Sequence, residues 1–125
     1  MKRTMVNKMN WFMIPTKIFD RANDFYNVLF DTTLEKDEDY KWNQIALIKS
    51  GEDIIWCISD NKNYDPSIAW VIIYLDAGDN MDAIINRVIP AGGKIKMPKT
   101  QIWKFWYVSH FEDSEWNLLG LYQKK

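Results

Sequence analysis

The second half of this sequence follows the same order of elements as the first, and that order leaves few folds open. Residues 9–15 form an apolar run of strand length closed by Pro15. Over 18–30, Ile18, Ala22, Phe25, Tyr26 and Leu29 recur at helical spacing, with Asp20, Arg21, Asn23 and Asp24 on the opposite side. A short edge strand at 32–35 and a charged loop at 36–39 follow. Segments 41–49 and 53–59 then read as two strands joined by Ser50-Gly51-Glu52. Residues 60–67, rich in Asp, Asn and Pro, break every period and read as a linker. The order then begins again. Residues 68–75 are a strand, and Asp79 is placed to cap a helix running to about 89, with Met81, Ile84, Ile85 and Val88 on one face. Pro90 and Gly92-Gly93 end it, and strands follow at about 94–97, 104–111 and 117–123. One offset of 59 carries Trp11 to Trp70, Ile14 to Ile73, Asp20 to Asp79, Phe25 to Ile84 and Leu29 to Val88. The expected architecture is α+β. Residues 1–125 form a single domain of two βαβββ modules, about 9–59 and 68–123, whose curved mixed sheets surround a cleft.

Composition narrows the function. The net charge of −1, with scattered lysines, argues against a nucleic-acid partner, which requires a basic face. No apolar run approaches the roughly 18 residues of a membrane span. Lys2 and Arg3 have no apolar stretch behind them, so the start does not read as a signal peptide. The single cysteine, Cys57, has no internal disulfide partner and reads as an inert buried thiol. A cytoplasmic protein is expected. Seven Trp in 125 residues are many, and Trp favours ligand and partner surfaces.

Each module covers one sheet face with its helix and leaves the other bare, and concave ligand sites belong on the bare face. Side chains alternate along a strand. In the fifth strand the aliphatic set Val71, Ile73 and Leu75 suits the helix side, which assigns Trp70, Ile72 and Tyr74 to the cleft. Trp11 and Met13 are the corresponding set in the first strand. In the last strand Leu119 and Leu121 fit the helix side, leaving Leu118, Gly120 and Tyr122 to the cleft.

The stretch from Ala91 to Tyr122, AGGKIKMPKTQIWKFWYVSHFEDSEWNLLGLY, carries a resemblance. Its Gly-Gly turn, its strand ending at Phe111 and its turn with Asp113 and Asn117 before Gly120-Leu121 resemble the vicinal oxygen chelate superfamily. That group comprises the glyoxalases, extradiol dioxygenases and bleomycin-resistance proteins. The Arg21-Ala22…Phe25-Tyr26 helix matches too, so the resemblance spans 9–123. It implies that Phe111 packs inward while Trp106 and His110 line the cleft. It also implies a homodimer, because single-domain members commonly pair. Chelating members hold a divalent metal through His, Gln or Glu on the first, fourth, fifth and eighth strands. The matching first, fifth and eighth positions here are Trp11, Trp70 and Gly120, and the fourth strand offers only Cys57. Indole has no free lone pair for a metal, so neither a metal nor another cofactor is expected.

The leading functional expectation is a metal-independent small-molecule-binding protein of the glyoxalase/bleomycin-resistance type. It would hold a planar or aromatic ligand among Trp11, Met13, Trp70, Ile72, Tyr74, Trp106, His110, Gly120 and Tyr122, with Gly120 leaving room where a carboxylate would project. Alternatively the rings fill the cleft themselves. A second reading is a lyase or isomerase using His110, the one side chain that titrates near neutrality, or an unrecognised metal site. A third is a dimeric structural or regulatory protein without a ligand. Glu112, Asp113 and Glu115 read as a solvent-facing turn, with Asp113 bonding its own backbone.

Overall fold

The computed structural model describes residues 11–69, 71–104 and 106–124. The first module runs β1 (Phe12–Pro15), α1 (Phe19–Leu29), β2 (Glu35–Lys36), β3 (Ile45–Ser50) and β4 (Asp53–Ser59). The second runs β5 (Tyr74–Asp76), α2 (Met81–Ala91), β6 (Lys94–Trp103), β7 (Trp106–Glu112) and β8 (Leu118–Lys124). The sheets are ordered β1-β4-β3-β2 and β5-β8-β7-β6. In both, the first strand lies parallel to the last and the remaining pairs are antiparallel. Two mixed four-stranded sheets with one helix each are the expected βαβββ pair.

Register corrects the internal offset. The Thr16 amide donates to the Ser59 carbonyl where β1 leaves β4, and the Ala77 amide donates to the Tyr122 carbonyl where β5 leaves β8. Thr16 therefore corresponds to Ala77, an offset of 61, and helices of equal length begin at Phe19 and Met81, an offset of 62. The offset of 59 looked consistent because a two-residue slip keeps every strand side chain on its face, and a three-residue slip is nearly one helical turn. Trp11 thus corresponds to Ile72 rather than Trp70, and Trp70 lies outside the described residues.

Several boundaries also differ, among them β2, which forms at Glu35–Lys36 rather than 32–35, and β3, which begins at Ile45 rather than 41. The apolar run after the linker enters regular pairing only at Tyr74, and Val71 is 78% exposed. Strand β6 continues through Pro98, as an edge strand can, with register shifts along its pairing to β7. Asp79 does not cap α2. The N-cap is Asn80 with no side-chain cap bond, and the side chain of Gln123 accepts from the Met81 amide instead.

Both helices contribute to one core. Ile14, Trp56 and Ile58 face α1, while Leu75, Phe111, Leu119 and Leu121 occupy the helix side of the second sheet. The helices pack on each other, and Phe25 of α1 stacks on Phe111 of β7 at 6.1 Å. Phe25 and Tyr26 meet edge to face at 4.9 Å. This contact between halves fixes how the second sheet presents its bare face.

Candidate functional site

The bare face of the second sheet collects five of the predicted residues. Across it Tyr74, Gly120 and His110 are direct neighbours on β5, β8 and β7, and Tyr122 lies two residues beyond Gly120. Tyr74 reaches over the middle strand, bringing its Oη to 2.7 Å from His110 Nε2. Gly120 makes this reach possible, because a Cβ there would collide with three atoms of the Tyr74 ring. The space above Gly120 is therefore taken by Tyr74, which corrects the expectation that Gly120 leaves room for a ligand.

Trp106 stands edge-on to Tyr122 at 5.4 Å, and Tyr74 and Trp106 are 45% and 37% exposed. The face thus offers three aromatic rings and one imidazole. Partial burial pushes His110 below its ordinary pKa, which favours neutral imidazole. The tautomer sets which partner donates in the Tyr74–His110 bond.

The remaining predicted residues lie apart from this group. Met13 pairs with Cys57 on the bare face of the first sheet. Trp11 is half-exposed just ahead of β1, and Ile72 is half-buried ahead of β5. Cys57 is buried, and loss of solvation pushes its thiol up to about 11, so it stays protonated.

The donors brought together among the described residues do not fit a chelated divalent cation. Among the described residues no group of three or more His, Cys, Asp or Glu converges. Met13, Cys57, Tyr74 and Gly120, which face one another across the parallel strand pairs, include no carboxylate or imidazole.

The acidic turn is not solvent-facing. Glu112, Asp113 and Glu115 are all buried, Glu115 completely. Glu115 accepts from the amides of Lys17 and Ile18 at 2.9 and 2.6 Å, from Arg21 Nε at 2.6 Å and from the Ser114 hydroxyl at 3.0 Å. Asp113 does bond its own turn, accepting from the amides of Glu115 and Asn117, and it also accepts from the Tyr26 hydroxyl at 2.7 Å. The Asn117 side-chain amide donates to the Pro15 carbonyl. The turn is a polar latch between the modules. Its sequence signal was the spacing of Asp113 and Asn117, but nothing local pointed to partners almost a hundred residues away.

Known structures share this architecture. A glyoxalase/bleomycin resistance protein from Albidiferax ferrireducens superposes with a TM-score of 0.77 at 12% identity, over 95% of this chain and 100% of that one. A glyoxalase/bleomycin resistance protein/dioxygenase family enzyme from Burkholderia phytofirmans gives 0.72 at 15% identity, over 93% and 98%. The fosfomycin resistance protein FosX from Listeria monocytogenes gives 0.67 at 13%, over 97% and 94%. No family model and no curated protein matches the sequence. At these identities the likeness establishes the fold. Among the described residues no helix is long and apolar enough to cross a membrane.

Proposed function

We propose that this chain, built on the glyoxalase/bleomycin-resistance fold, is a metal-independent small-molecule-binding protein that holds a planar aromatic or heterocyclic ligand on the bare face of its second sheet. The observation that carries the reading is the gathering of Tyr74, Trp106, Tyr122 and His110 on that face. Partly exposed rings offer flat apolar surfaces, and the Tyr74–His110 pair supplies a polar group for orientation. Each ring stacked on a ligand contributes about 0.5–2 kcal/mol. Replacing Trp106 by Ala is therefore expected to weaken a ligand found by screening by about 2- to 30-fold, read by calorimetry. If the folded Trp106→Ala and Tyr122→Ala variants both bind with unchanged affinity, the site lies elsewhere. Dialysed protein is expected to carry no stoichiometric metal by elemental analysis.

One observation favours a second reading, a lyase or isomerase. The 2.7 Å Tyr74–His110 bond joins two groups able to exchange a proton. Under it, His110→Gln leaves ligand binding intact and abolishes turnover.

The protein is also proposed to work as a homodimer. Trp11 and Val71 are exposed apolar groups of the kind a second copy covers. Sedimentation at micromolar concentration is expected to give twice the 14.9 kDa chain mass, and the chain mass alone rejects the dimer.

A further inference from the structure

A second cavity runs along β5 and borders the aromatic face at Tyr74. It is a groove of about 450 Å³ where the first module meets the edge strand of the second sheet. Phe12, Phe30, Ile48 and Trp56 form one wall, and Tyr74, Leu75 and Asp76 are on the other. The aromatic wall is built rigidly. Phe12 stacks parallel to Trp56 at 5.9 Å, and Phe30 meets Trp56 at 6.1 Å with a 66° tilt. Tyr26 closes on Trp56 edge to face at 5.3 Å, and Trp56 is 6% exposed. Rings that brace one another lose little freedom when a ligand arrives.

The charge at this groove is one-sided. Among the described residues Asp76 is the only carboxylate that lines it, and no lysine, arginine or histidine does. Oδ1 of Asp76 accepts from the Gly78 amide and so holds the carboxylate in place. An apolar aromatic wall facing a single fixed negative charge selects for a cation that is weakly hydrated. Ring faces attract such a cation, and the carboxylate adds a Coulomb term at the rim. A primary ammonium is strongly hydrated and gains less from leaving water. The volume exceeds the needs of a cationic head alone, so an apolar arm would share the groove.

We propose that this groove is a binding site for an aryl- or alkyl-substituted quaternary or tertiary ammonium compound, with its cation between the Phe12–Phe30–Trp56 wall and Asp76. The site shares Tyr74 with the aromatic face described above but takes none of Trp106, His110 or Tyr122.

The probe is benzyltrimethylammonium, compared with neopentylbenzene, its uncharged isostere, and with benzenesulfonate. Titrations are read by calorimetry and by the indole N–H resonance of Trp56 in the full chain. The expected result is saturable binding of the cation that shifts the Trp56 resonance, with the isostere much weaker and the sulfonate inert. Asp76→Asn keeps the Oδ1 acceptor for Gly78 and removes only the charge. It is expected to weaken the cation about tenfold, while Trp106→Ala leaves it unchanged. Three results overturn the proposal. One is equal binding of cation and isostere, and another is unchanged affinity in Asp76→Asn. The third is an unresponsive Trp56 in protein that sediments as a dimer, which would assign the groove to a second copy of the chain.

Discussion

Replacing Glu115 by Ala is expected to lower the unfolding free energy by about 3 kcal/mol, read from the urea midpoint at constant slope. The carboxylate is fully buried and accepts from two successive amides, Lys17 and Ile18, just before α1 begins. The Ile18 amide belongs to the unsatisfied start of a helix whose N-cap, Ile18, makes no side-chain cap bond, and the Lys17 amide directly precedes it. Glu115 therefore caps α1 from the other module, and truncation leaves both donors without an acceptor. Arg21 is different. Its side chain is 38% exposed and regains water when its partner goes, so Arg21→Ala should cost clearly less than Glu115→Ala. Equal losses would place the energy in the ion pair rather than in the cap. Acid gives a second readout. Burial pushes the Glu115 carboxyl up, but hydrogen bonds from Arg21, the Ile18 amide and Ser114 outweigh it and hold the group below its ordinary value. A depressed carboxylate stabilises the fold above its unfolded pKa of about 4.3, and this contribution is lost as pH falls through the folded value. The gap between wild type and Glu115→Ala should narrow on acidification. Asp113 acts with the opposite sign, since burial, its largest influence, raises it and its hydrogen bonds only partly compensate. Its charged form weighs against the fold above the unfolded pKa, and that weight is relieved as pH falls.

How much of this was legible depends on the range of the interaction. Alternation within a strand is local, and it placed Tyr74, Gly120 and Tyr122 on one face and Leu75, Leu119 and Leu121 on the other. Strand β4 covers 53–59 as read, because Gly51, at positive φ, marks the turn that precedes it. Pro98 misled because the sequence does not reveal that β6 is an edge strand whose missing N–H costs nothing. The Tyr74–His110 pair spans 36 residues, and nothing near either one announces it. The latch failed to register for the same reason. A turn rich in Glu and Asp looks solvated until Arg21, Tyr26 and the amides before α1 are brought against it. The internal repeat was legible as an order of elements and illegible as a register, since the hydrophobic periods tolerate the slip that separates 59 from 61.

The two glycines that close α2 should respond very differently to a methyl group, although the sequence presents them as one Gly-Gly turn. Gly92 sits at φ +112 as the helix C-cap, and its amide donates to the Ile89 carbonyl. The cost there is conformational, because an added Cβ would meet only the Ser114 side chain at 4.0 Å. Gly92→Ala is expected to lose about 1–2 kcal/mol, the scale of strain for a non-glycine residue in this region. Gly93 is limited by space. A Cβ there would lie 2.5 Å from the Glu112 carbonyl oxygen and 2.8 Å from the Phe25 ring. The carbonyl belongs to β7, whose Glu112 pairs with Lys94 at the start of β6, so the backbone cannot retreat without opening that ladder. Phe25 is equally constrained, being fully buried and stacked on Phe111 between the modules. Gly93→Ala should therefore lose about 3 kcal/mol, the upper end of overpacking costs. Denaturant unfolding of the two variants separates strain from collision. A companion Phe25→Leu change relieves the ring contact but not the carbonyl, so it should recover only part of the Gly93→Ala loss after its own cost is subtracted. If Gly92→Ala proves as damaging as Gly93→Ala, the close approach of α2's end to β7 and Phe25 does not hold in solution.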